Sequence, residues 1–190
     1  MPEIALIRHT APLVAPGICY GRLDLALRDA ADIAPIVGQL AAFLPARVCT
    51  SPARRCRELA YAISADPILD DRLRELDFGA WEGLPWDAIP RADLDRWAAD
   101  PAGFAPPGGE TGHALLSRVK SFHADLIATD VKKIVVSHGG PLKILQALLA
   151  GREPDLLAAS PPLGSITIYQ IVEHAANFYT HSLTVAESFE

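Results

Sequence analysis

Apolar positions along the chain switch between two periods. Glu3-Ile4-Ala5-Leu6-Ile7 is a short apolar run that stops at Arg8-His9-Thr10, so it reads as a buried strand followed by a loop. Pro12, Pro16, Gly17 and Gly21 make residues 11–24 a loop. From about Arg28 the spacing becomes helical. Ile33, Val37, Leu40 and Leu44 mark one face, Asp29 and Asp32 suit the positive end of the helix, Pro35 lies in its first turns, and Pro45 closes it. Val48-Cys49-Thr50 reads as a second strand. Ser51-Pro52 then predicts an N-cap and first helical position, followed by Cys56, Leu59, Ala60 and Ile63 at helical spacing. Residues 67–69 suit a short strand, residues 70–90 an ordered irregular segment, and Arg91–Ala99 a short helix.

Three prolines and four glycines make residues 101–112 a loop. A domain linker would look similar, but the flanking pieces are too small to fold alone. Leu115, Val119, Phe122 and Leu126 mark a long helix, and Lys133–Val136 a strand ending at Ser137-His138-Gly139-Gly140. Leu142, Leu145, Leu148 and Leu149 mark another helix, stopped by Gly151. Ser165–Val172 and Phe178–Val185 suit a closing hairpin. Strands alternating with helices predict an α/β fold, a three-layer α/β/α sandwich on a mostly parallel sheet. Ligands bind beyond the carboxyl ends of strands in such sheets. One sheet edge therefore collects Arg8, His9 and His138, with Arg54 and Arg55 close behind the strand 48–50.

A length of 190 residues suits one domain, 1–190. Seventeen basic against 23 acidic residues give a net charge of −6, which disfavours a nucleic-acid partner. No apolar run approaches the ~20 residues that span a bilayer, so no membrane partner is expected. Met1-Pro2-Glu3-Ile4 shows no basic region ahead of an apolar one, so no secretory signal is expected either. Three cysteines without CxxC spacing imply neither a disulfide framework nor a zinc site, and a cytoplasmic setting is expected. His9 and His138 lack an accompanying HxxxH or carboxylate set with ligand spacing, so no metal is expected.

Two imidazoles beside two guanidiniums suit a tetrahedral oxyanion. A neutral imidazole is a nucleophile, and two arginines with one protonated histidine would balance a phosphomonoester dianion without a metal. The leaving oxygen needs a proton donor. Glu75 and Glu82 both lie in the aromatic stretch 74–83, where burial beside Phe78 or Trp81 would raise a carboxyl pKa. Each residue also has a plainer reading. Glu75 could pair with Arg72 or Arg74, and Arg54, Arg55 and Arg57 could be a solvated helix face of which only Arg55 enters the pocket. Glu110 could answer the dipole of the helix after Thr111. Arg22 and Asp24 could meet substrate or each other. Trp81, Trp86 and Trp97 read as packing groups, and His113, His123, His174 and His181 carry no motif.

Arg8-His9-Thr10, Ser51-Pro52-Ala53-Arg54-Arg55, the stretch Arg74 to Gly83, Gly108-Gly109-Glu110-Thr111 and Val136-Ser137-His138-Gly139-Gly140 occur in the order seen in the histidine phosphatase superfamily, the phosphoglycerate mutase-like fold. The chain resembles that family from about residue 3 to residue 171, and the loop 16–24 resembles its α-ribazole phosphatase branch. The resemblance implies that His9 is the nucleophile that becomes phosphohistidine, that Arg8 and Arg55 clamp the phosphate, that His138 bonds the phosphoryl oxygens, and that Glu75 is the proton donor. Thr10, Arg22 and Glu82 form a second tier. Thr10 replaces the family's usual glycine, either crowding the nucleophile's loop or touching phosphate with its hydroxyl. Leu59 replaces a frequent threonine. The implied activity is metal-independent, cofactor-free hydrolysis of a small-molecule phosphomonoester, with α-ribazole 5'-phosphate or a range of small phosphates as substrate, by a monomer or homodimer. A phosphoglycerate mutase is the alternative, though the chain is short for one. A catalytically silent phosphate-binding domain is the other.

Overall fold

The computed structural model describes residues 3–174 and 177–185, with side chains up to residue 171. Six strands form one sheet in the order β3-β2-β4-β1-β5-β6: β1 Glu3–Arg8, β2 Arg47–Thr50, β3 Ile68–Leu69, β4 Lys133–Ser137, β5 Ile166–His174 and β6 Asn177–Val185. The first four run parallel, while β5 is antiparallel to β1 and β6 to β5.

Successive side chains of β1 face opposite sides of the sheet, and every inner one is apolar, the pattern of a strand covered on both faces. Ile4 and Leu6 pack with Val135 against α4 (Gly112–Ile127) and α5 (Gly139–Leu149), through Leu115, Val119, Phe122, Leu142 and Leu145. Ala5 and Ile7 pack with Ile134 and Val136 against α1 (Ile33–Leu40) and α2 (Arg54–Ile63), through Ile36, Leu40, Cys56 and Leu59. The result is the three-layer sandwich. A further helix, α3 (Arg91–Ala99), buries no residue fully and closes a small aromatic cluster around Cys19, Trp81 and Ile89.

Two expectations are corrected. The face of α1 is Ile33, Ile36, Leu40 and Phe43 rather than one ending at Leu44, which is exposed. The chain tightens into a 3-10 turn over Ala41–Phe43, and three residues per turn bring Phe43 inward. α2 begins at Arg54 behind Ala53, so Ser51 is not its N-cap.

Register then places the chemistry. Arg8 lies opposite Ser137 in the β1–β4 ladder, so His9 and His138 leave neighbouring parallel strands at the same level. Thr50 lies opposite Val136, which brings Ser51 to the same edge.

Candidate active site

The structure brings Arg8, His9, Arg55, Glu75 and His138 together at that edge. The two imidazoles are buried, with ring centroids 5.1 Å apart and planes at 67°. His9 Nδ1 donates to the Thr10 carbonyl at 2.7 Å, and Arg55 Nε donates to His9 Nε2 at 3.2 Å. A ring that gives its proton through Nδ1 keeps its lone pair on Nε2, here facing the pocket arginine. Arg55 is fully buried. Its terminal nitrogens donate to the carbonyls of Leu23 and Gly21, both at 2.7 Å, and its guanidinium lies over the Tyr20 ring. Arg8 donates to the Pro161 carbonyl at 2.6 Å, while its Nε is buried without a partner, as is the Thr10 hydroxyl. Among the described residues, neither Arg8 nor Arg55 has a carboxylate within ion-pair distance. A fully buried guanidinium and a half-buried one, neither with a counter-charge, make a site that an anion completes.

His138 opens α5 and reaches Ser51 Oγ at 2.8 Å through Nε2. Ser51 Oγ also accepts the Ala53 N–H at 3.3 Å, so this hydroxyl fixes the imidazole. Cys56 Sγ lies 3.5 Å from the same Nε2, but burial pushes the thiol up to about 12 and keeps it protonated. The Glu75 carboxylate accepts the N–H of Leu76 at 2.9 Å, and both its oxygens lie 3.2 Å from the N–H of Gly140 at the start of α5. A Cβ on Gly140 would stand 2.3 Å from Glu75 Oε1, so this approach requires glycine. Glu75 does not pair with Arg72 or Arg74: the former binds Asp70 and Asp125, the latter Asp71.

Burial and the neighbouring arginines oppose protonation of both histidines in this pocket. Burial, then the Arg55 charge, takes His9 down to about 3, and burial followed by Arg55 and His9 takes His138 well below its usual value. An unfolded histidine titrates near 6.5, so below that pH the unfolded chain binds protons that the folded chain refuses. Stability is therefore expected to fall as pH drops from about 6.5 toward about 3, by about 1.4 kcal/mol per pH unit for His9, with His138 acting in the same direction. Urea unfolding between about pH 7 and about pH 5 reads this slope, and His9→Gln should remove its own share.

The second tier is placed differently. Glu82 Oε1 accepts the N–H groups of Arg22 and Phe78, at 2.8 and 3.0 Å, and so ties two loops together. Arg22 reaches Asp77, Glu110 and the Glu75 carbonyl rather than Asp24. Asp24 accepts the Arg54 N–H and lies 4.0 Å from Arg57, whereas the Arg54 side chain pairs with Glu58. Of the three neighbouring arginines, only Arg55 enters the pocket. Trp81 is core, and Trp86 and Trp97 line a cavity beside Glu75. His113 is exposed and His123 half-buried; the side chains of His174 and His181 lie outside the described residues.

Sequence reasoning missed Arg118. It binds Glu110 through Nε and a terminal nitrogen, at 2.7 and 2.9 Å, and donates to the carbonyls of Arg72, Arg74 and Glu75. Glu110 is thus the anion of a clasp, not a helix-dipole residue; Thr111 caps α4. The available signal was an arginine three residues after Leu115, beside the apolar face of α4. Arg118→Ala leaves the Arg72 and Arg74 carbonyls without their donor, while Glu110 and the Glu75 carbonyl keep Arg22, and is expected to cost about 2 kcal/mol in urea unfolding. Because the clasp holds the Glu75 backbone, the variant should lose kcat more than it raises KM.

Among the described residues, no three of His, Cys, Asp and Glu cluster as a metal set, and no helix is long and apolar enough to cross a membrane. Residues 4–183 match the profile of the histidine phosphatase superfamily (branch 1). A protein of Hydrogenobacter thermophilus named putative phosphoserine phosphatase 2 is 31% identical over 169 residues, 80% of each chain. A glucosyl-3-phosphoglycerate phosphatase of Mycolicibacterium vanbaalenii is 29% identical over 90% of this chain and 84% of its own. The crystal structure of a phosphoglycerate mutase from Thermus thermophilus superposes with a TM-score of 0.71 at 26% identity, covering 98% of this chain and 99% of that one. Two buried histidines and two arginines without carboxylate partners at the carboxyl edge of the sheet agree with that kinship: the chain belongs to branch 1 of the histidine phosphatase superfamily and is a phosphatase of that type.

Proposed function

We propose that the chain is a metal-independent phosphomonoester hydrolase that works through a phosphohistidine on His9. The observation that carries this reading is the His9 Nε2 lone pair, held by the Nδ1 bond to Thr10 and aimed at a guanidinium with no carboxylate partner. Nε2 forms a bond to phosphorus as the bond from phosphorus to the substrate oxygen breaks. Glu75 gives a proton to the departing oxygen. Water then attacks the phosphohistidine, Glu75 takes its proton, and inorganic phosphate leaves with His9 restored. Arg8 and Arg55 carry the two positive charges against the dianion, so neither histidine needs to be protonated for charge balance. His138, held by Ser51, gives a hydrogen bond to a phosphoryl oxygen. The Thr10 hydroxyl and Arg8 Nε, both buried without partners, gain one there.

We place this activity in one domain, a monomer or homodimer, in the cytoplasm, where the three buried free thiols stay reduced. The substrate panel follows from the relatives and from the loop 16–24: phosphoserine, glucosyl-3-phosphoglycerate and α-ribazole 5'-phosphate. The mutase reading is favoured by the likeness to the Thermus thermophilus structure, so 3-phosphoglycerate belongs in the panel. The test is phosphate release with and without a chelator. Release that is indifferent to chelator is expected. Activity lost to chelator and restored by metal would overturn the metal-independent mechanism. Conversion of 3- to 2-phosphoglycerate without matching phosphate release would favour the mutase, and vanadate binding with no turnover of any ester would favour a silent domain.

A further inference from the structure

A cavity of about 190 Å³ opens from the Glu75 carboxylate, and its walls are aromatic. Trp86 and Trp97 stack with centroids 6.1 Å apart and planes at 17°, and Phe78 stands edge-on to both, at 5.4 and 5.8 Å. All three are only half-buried, so part of each ring is open to a ligand, and Leu115 adds a further apolar wall. The cation on the wall, Lys143, already donates to the carbonyls of Leu156 and Ala158.

We infer that this cavity is the leaving-group subsite and that it selects phosphomonoesters of alcohols bearing an uncharged planar ring. The inference rests on the proposed role of Glu75. If Glu75 protonates the departing oxygen, that oxygen sits against its carboxylate and the group attached to it lies in the cavity. The volume fits one ring, or two fused rings: an apolar cavity of about 150 Å³ holds benzene. A free amino acid fits poorly. Its ammonium and carboxylate would both leave water, and the two charged groups on the wall are already engaged, Glu75 by the Gly140 N–H and Lys143 by the Leu156 and Ala158 carbonyls. Aromatic walls also suit a quaternary ammonium, but Lys143 offsets Glu75, so the lining has no net negative charge to draw one in.

The test compares kcat/KM for 2-phenylethyl phosphate, ethyl phosphate, O-phosphoserine and phosphocholine, whose leaving groups are all primary alcohols. The phenylethyl ester is expected to exceed the ethyl ester by about ten- to a hundredfold. That ratio should fall toward one in Trp86→Ala and in Trp97→Ala; either variant suffices should the other not fold. Equal rates for the two esters, or a preference for phosphoserine or phosphocholine, would overturn the ring-selective subsite while leaving the phosphatase mechanism intact. If no ester turns over, the mechanism fails instead. Competition with vanadate for the pocket still reads the subsite: benzylphosphonate should bind more tightly than methylphosphonate, and equal binding would overturn it.

Discussion

His9→Gln is expected to lower kcat by about ten-thousandfold or more, with the folded state retained. Glutamine keeps a polar side chain able to donate to the Thr10 carbonyl, but it has no nitrogen lone pair to attack phosphorus. The loss should fall on kcat rather than on phosphate affinity, because Arg8 and Arg55 stay in place. Steady-state kinetics separate the two, and vanadate titration of the variant checks that the anion site survives. Undiminished kcat in the variant would remove His9 from the chemistry altogether.

Arg55→Ala is the second large effect, and it acts on stability and activity together. The guanidinium holds the carbonyls of Gly21 and Leu23 and the Nε2 of His9 from a fully buried position. Its removal strands two carbonyls, at a cost of about 3 kcal/mol in urea unfolding. It also removes half of the positive charge that faces substrate, for a drop of about a hundred- to a thousandfold in kcat/KM. Arg55→Lys should not rescue, since one ammonium cannot serve three acceptors held in a planar fork. Vanadate, which should raise the Tm of the native protein, should do so far less for either variant. The Arg55 charge also helps to hold His9 down, so in Arg55→Ala the His9 titration should move upward from about 3.

These effects follow from features of unequal legibility. The strand 3–7 and the strand 133–136 announce themselves as short apolar runs, and each ends abruptly in a histidine. The parallel register needed to bring those histidines together is the ordinary consequence of alternating strands and helices, so the core of the site was readable. Arg55 was separable from Arg54 and Arg57 by resemblance, and by helical geometry only in part. What was not readable depends on pairing between distant segments. Ser51 reads locally as a helix cap. Only the register of β2 on β4 shows that its hydroxyl serves His138 instead. Glu75 has sequence neighbours of opposite charge in Arg72 and Arg74, yet both are drawn off by aspartates and the carboxylate turns to the first turn of α5. The clasp of Arg118, Glu110 and Arg22 joins three segments far apart in the chain and leaves no periodic trace. A protonated histidine, expected from the charge balance of a bound dianion, is opposed in the pocket by burial beside two guanidiniums.

The central claim is a covalent phosphohistidine on His9. Intact-protein mass spectrometry after brief incubation with a generic phosphomonoester, quenched without acid, tests it most directly. The account predicts one added phosphoryl group that is labile in acid, maps to His9 and is missing from His9→Gln. A phosphoryl group on another residue, or turnover that persists in His9→Gln, would contradict it.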